Sequence, residues 1–142
     1  MPDRSAIRIL IIDDDAEFAD TLRLHLESAG YAVEVTEDAV DGGKALLARP
    51  PSLILCDIGM PYMDGLELMS LMQTDANSAS IPVVFISGRS DTGTMARAVD
   101  LGAADFLVKP ITREQLLLTV ESCLQEGGRR AVPPNYSFPP VV

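Results

Sequence analysis

Leu53-Ile54-Leu55-Cys56-Asp57 sets four apolar residues directly against a carboxylate. The run is short for a helix and reads as a strand buried on both faces. Three other stretches repeat its form. Ile9-Leu10-Ile11-Ile12 ends on Asp13-Asp14-Asp15, Val83-Val84-Phe85-Ile86 ends on Ser87, and Phe106-Leu107-Val108 ends on Lys109 and Pro110. In an open parallel α/β sheet, ligands bind beyond the carboxyl ends of the strands. Parallel pairing of these runs would bring carboxylates, a hydroxyl and an ammonium to one edge.

Outward from these runs, strand and helix patterns alternate five times. Strands are expected at 7–12, 31–36, 53–57, 81–87 and 104–109, and helices at 15–29, 39–48, 64–74, 91–101 and 112–125. In the first helix Phe18, Leu22, Leu26 and Ala29 form one stripe. Asp15 suits its N-cap and Gly30 its C-terminal stop. Tyr31, Val33 and Val35 alternate with smaller or polar residues, as in a half-buried edge strand. Gly42-Gly43 lowers the helix propensity of the second helix, and Pro50-Pro51 stops it. Thr112 caps the last helix, with Leu116, Val120 and Cys123 inward. The fold class is α/β, a doubly wound five-stranded parallel sheet with helices on both faces. Right-handed crossovers and the edge-like second strand favour the order 2-1-3-4-5. The switch point then lies between the first and third strands, flanked by Asp13, Asp14 and Asp57.

At 142 residues the chain fits one domain, residues 6–126, and a tail, residues 127–142. The tail begins Gly127-Gly128-Arg129-Arg130, holds four prolines and reads as disordered or a linker. A net charge of −10 argues against a nucleic-acid surface, which needs a basic face. No apolar stretch approaches the ~20 residues of a membrane span, and the start shows no signal peptide. Cys56 and Cys123 read as free buried thiols, which suits a reducing, cytoplasmic setting. His25 is expected to be exposed on the first helix, not a phosphodonor. Met60, Met63, Met69, Met72 and Met95 read as loop packing and core filling.

Three carboxylates in close approach repel unless protons or a cation intervene. Mg²⁺ (or Mn²⁺) fits, because it takes one or two carboxylates and phosphate oxygens. Asp57 beside such a cation could attack phosphorus and become an aspartyl phosphate. Lys109 offers a compact charge, and Ser87 a hydroxyl, to the phosphoryl oxygens. Pro110 admits a cis bond after Lys109. Asp15 reads as a helix cap.

The motifs Ile11-Ile12-Asp13-Asp14-Asp15, Asp57-Ile58-Gly59-Met60-Pro61-Tyr62-Met63-Asp64-Gly65, Ile86-Ser87-Gly88 and Phe106-Leu107-Val108-Lys109-Pro110 occur in this order. Over residues 6–126 the chain resembles a response-regulator receiver domain of two-component signalling, a flavodoxin-like (βα)5 fold of the chemotaxis-regulator type. The resemblance implies that Asp57 accepts a phosphoryl group from a histidine kinase or phosphotransfer protein. It implies that Asp13, Asp14, Asp57 and the backbone carbonyl of Gly59 hold Mg²⁺, that Ser87 and Phe106 switch, and that Lys109 contacts the phosphate. Gly59 and Arg89 would tune the lifetime of the phosphate. The 91–125 face would control a partner, an output or a second copy as a homodimer. The only chemistry so implied is the chain's own phosphorylation and dephosphorylation. Gly88 stands where Ala is usual, and Phe106 where Tyr is frequent.

Two other readings fit parts of the sequence. A haloacid-dehalogenase-like phosphatase would use Asp13 as nucleophile and Asp15 as acid–base residue, but leaves the 57–65 motif unexplained. A phosphorylation-independent binding module would keep the fold alone.

Overall fold

A computed structural model describes residues 4–58, 65–72, 74, 75, 78–88, 92–100 and 102–125. Gly59, Arg89, Met60, Met63 and the 127–142 tail lie outside these described residues.

After a 3₁₀ turn at Arg4–Ala6, the elements follow in chain order as β1 (Arg8–Ile12), α1 (Ala16–Ser28), β2 (Ala32–Thr36), α2 (Ala39–Ala48) and β3 (Leu53–Asp57), then α3 (Gly65–Met72), β4 (Val83–Ser87), α4 (Thr92–Asp100), β5 (Asp105–Val108) and α5 (Arg113–Gln125). The five strands form one sheet in the order β2-β1-β3-β4-β5, and every pairing is parallel. This is the doubly wound order expected from the alternation of runs.

Each apolar run serves two cores, because successive side chains leave opposite faces of a strand. Leu10, Ile12, Ile54, Cys56, Val83 and Phe85 pack with Leu46, Met69, Met72 and Ala98 of α2, α3 and α4. Ile9, Ile11, Leu53, Leu55, Val84 and Ile86 pack with Leu22, Leu26, Leu116, Val120 and Cys123 of α1 and α5. Burial on both faces explains why the runs are continuously apolar. Cys56 and Cys123 are both buried, and neither forms a disulfide among the described residues.

The ends of several elements differ from expectation for local reasons. β2 begins at Ala32, after Tyr31. The Tyr31 N–H donates to the Leu26 carbonyl at 3.2 Å and the Gly30 N–H to Glu27 at 3.0 Å. With Gly30 at φ +100, these bonds end α1 in a Schellman turn, and Tyr31 is buried by it. β4 begins at Val83, not 81, because Pro82 has no N–H for the ladder and the Ile81 N–H turns back to Ser78. His25, expected exposed, is half-buried. Thr112 caps α5 as expected, with Gln115 reaching back, so the two form a capping box.

Gly42 and Gly43 look alike in sequence but not in space. A Cβ at Gly42 would stand 2.6 Å from Cδ1 and 2.9 Å from Cγ1 of Ile12, which is fully buried. Among the described residues, a Cβ at Gly43 would meet only Leu68 Cδ1, at an ordinary 3.9 Å. Gly42 therefore lets α2 approach the end of β1. Gly42→Ala is expected to lose roughly 1–2 kcal/mol, since overpacking outweighs the gain in helix propensity. Gly43→Ala is expected to gain roughly 0.5–1 kcal/mol. Urea unfolding of the two variants checks the opposite signs.

Candidate functional site

The strand register assembles the site. Ile12 pairs with Cys56, and Asp57 with Ile86, so Asp13, just past β1, stands level with Asp57, the last residue of the adjacent β3. Ser87 pairs with Val108, and the Lys109 N–H donates to the Ser87 carbonyl at 2.8 Å. All four positions therefore fall on the carboxyl edge of the sheet. One carboxylate oxygen from each of Asp13, Asp14 and Asp57 lies within 4.8 Å of the others. Asp14 is exposed, Asp57 half-buried and Asp13 buried.

Asp13 is pinned by the start of α1. Its Oδ1 accepts the Asp15 N–H at 2.8 Å, while Asp15 Oδ1 accepts the Phe18 N–H at 3.1 Å as the N-cap of α1. The Asp13 rotamer is thereby set with Oδ2 buried and without a hydrogen-bond partner among the described residues. Lys109 Nζ lies 3.8 Å from that oxygen. Burial pushes the Asp13 carboxyl up to about 6, against the Asp15 N–H, with Asp57 and Asp14 adding to the rise and Lys109 opposing it.

An orphaned carboxylate oxygen on a residue clustered with two further carboxylates suits a hard divalent cation. The donor set is all oxygen, with no thiolate or imidazole, and it fits Mg²⁺ or Mn²⁺. Gly59, whose carbonyl was expected to join this set, lies outside the described residues, as does Arg89.

Ser87 is buried at the end of β4. Phe106 is partly buried and packs against the core on the α2–α4 side. The Lys109–Pro110 bond is cis. Asp15, the acid–base residue of the phosphatase alternative, is engaged as a helix cap. Sequence reasoning missed Phe18, placed there simply on the core stripe. Its ring centroid lies 4.2 Å from Lys109 Nζ. The available signal was its place in the first turn of α1, at the same sheet edge as Lys109.

Residues 9–121 match the family described as Response regulator receiver domain. The DNA-binding dual master transcriptional regulator RpaA of Synechocystis is 34% identical over 86% of this chain and 51% of its own length. The transcriptional regulatory protein FixJ of Bradyrhizobium diazoefficiens is 35% identical over 84% of this chain and 57% of its own. The chain thus spans about half the length of the curated relatives it matches. Among solved structures, a CheY-like response regulator receiver domain protein from Methanospirillum hungatei superposes with a TM-score of 0.80. It is 28% identical and covers 85% of this chain and 95% of its own.

Proposed function

The chain belongs to the response regulator receiver domain family, and on that premise we propose that it is a phosphorylation-controlled switch with Asp57 as acceptor. The observation that carries this reading is the meeting of Asp13, Asp14 and Asp57 at one sheet edge, with Lys109 3.8 Å from Asp13. A carboxylate oxygen of Asp57 bonds to the phosphorus of a phosphohistidine on a histidine kinase or phosphotransfer protein. The P–N bond breaks, and the imidazole nitrogen keeps the electron pair and takes up a proton. Asp13, Asp14 and Asp57 would hold Mg²⁺ or Mn²⁺, with the Gly59 carbonyl as a further ligand, and the cation would offset charge on the phosphoryl oxygens. Lys109 supplies a second positive charge to those oxygens. Ser87 donates its hydroxyl to one of them, and Phe106 moves inward as Ser87 shifts. The chain's own chemistry is confined to gaining and losing this group, at a rate that Gly59 and Arg89 tune.

We read residues 6–126 as the receiver and 127–142 as a tail or linker. Relatives of about twice this length are named as transcriptional regulators, which supports control of an output; we assign the contact with a partner or a second copy to the 91–125 face. No described helix is long and apolar enough to cross a membrane, and we place the protein in the cytoplasm beside its kinase.

Incubation with acetyl phosphate and Mg²⁺, followed by peptide mass spectrometry, tests the acceptor. One phosphoryl group on Asp57, absent when EDTA is present, is the expected result; a group on Asp13 would end the reading. Beryllofluoride with Mg²⁺ is expected to shift the amide resonances of Ser87 and Phe106. An unchanged spectrum with the mimic bound would refute the switch.

A further inference from the structure

Among the described residues, two neighbours compete for the charge of Lys109. Its Nζ stands 3.8 Å from Asp13 Oδ2, whereas a charge-assisted N–H···O contact closes to about 2.7–2.9 Å. The same ammonium lies 4.2 Å from the centroid of the Phe18 ring, well inside cation–π range. Asp13 Oδ2 meanwhile has no hydrogen-bond partner among the described residues, although a cation stands within reach of it. Phe18 itself is held in place, because its N–H is bonded to the Asp15 cap and Asp15 is bonded in turn to Asp13.

We propose that Phe18 is a positioning residue for the cation site, its ring holding the Lys109 ammonium off Asp13 so that Oδ2 stays open to a divalent ion. This rests on the reading of Asp13, Asp14 and Asp57 as metal ligands. Without the ring, the lysine closes onto the carboxylate, and an entering cation must displace it. The ring also gives the ammonium a neutral resting place after the cation has taken over Asp13, a place that it leaves when a phosphoryl group offers stronger attraction. Phe18 thus acts through Lys109 and touches neither metal nor phosphate.

Mn²⁺ titration followed by electron paramagnetic resonance tests the assignment. Phe18→Leu keeps an apolar side chain but removes the aromatic face. It is expected to weaken Mn²⁺ binding about threefold to tenfold, while Phe18→Tyr keeps wild-type affinity. In a Lys109→Met background, Phe18→Leu is expected to change nothing. Equal losses in both backgrounds, or no loss in either, would overturn the proposal. A wild-type chain that binds no Mn²⁺ would overturn the metal reading and this role together, whereas wild type and Phe18→Leu binding equally well overturns this role alone. A metal-free measurement stands apart from the variants. The Lys109 Hε protons of wild type are expected to be shifted upfield by the ring, and ordinary shifts there would also overturn it.

Discussion

Asp57→Asn is expected to reduce Mg²⁺-dependent labelling by acetyl phosphate by about 100-fold or more. The amide keeps the shape of the side chain but removes the anionic oxygen that must bond to phosphorus. It also removes one of three carboxylates that lie within 4.8 Å of one another, so the cation is held less well. The fold should be unaffected. Asp57 is the last residue of β3, half-buried, and the ladder continues beside it through the Ile58 N–H bond to the Ile86 carbonyl, at 3.0 Å. Relief of repulsion among the carboxylates should leave the metal-free variant no less stable than wild type. Intact-mass measurement against time, with circular dichroism as the folding control, checks both halves. Undiminished labelling of a folded Asp57→Asn variant would remove Asp57 as acceptor.

Asp13→Asn is expected to stabilise the metal-free domain at pH 8 by on the order of 2–3 kcal/mol. Burial holds the Asp13 carboxyl at about 6 in the fold, against 3.8 ordinarily. The folded state therefore binds this proton more tightly than the unfolded chain does. Stability from this group is fully present below about pH 4 and is lost as pH rises through about 6. At pH 8 wild type carries a buried carboxylate whose Oδ2 lacks a hydrogen-bond partner among the described residues, whereas Asn is neutral. The Asn side-chain oxygen can still accept the Asp15 N–H, so the start of α1 is kept. At pH 4 the two proteins should unfold at nearly the same urea concentration. With Mg²⁺ about 100-fold above its dissociation constant, wild type gains roughly 2.7 kcal/mol and the gap closes. Urea melts at pH 4 and pH 8, with EDTA or Mg²⁺, test the set. A variant no more stable than wild type at pH 8 in EDTA contradicts the argument.

The strands were legible because central parallel strands must be apolar on both faces, and Leu53-Ile54-Leu55-Cys56 can satisfy no other element so well. The positions of Asp13, Asp57, Ser87 and Lys109 followed from the same fact, since a polar residue after such a run marks the strand end. What stayed hidden depends on distances between elements that periodicity does not encode. A 3.6-residue stripe places Phe18 on a helix face, but not 4.2 Å from the ammonium of a lysine 91 positions later. A propensity scale treats Gly42 and Gly43 alike, although only the first faces Ile12 at close range. Tyr31 alternates properly with Val33 and Val35, yet its N–H is claimed by the end of α1.

The 3₁₀ turn before β1 is tied to the last described helix. The Arg4 guanidinium donates to Glu121 of α5 at 2.8 Å and to the Ala29 carbonyl at 3.3 Å, and lies 5.1 Å from the centre of the Tyr31 ring. Its partner on α5 is 117 residues further along. At the usual pace of translation, ~5–20 residues each second, Arg4 waits on the order of ten seconds for Glu121 to be made. Among the contacts of the described residues, the clasp is thus one of the last available to a nascent chain, and its closure reports that synthesis has reached α5.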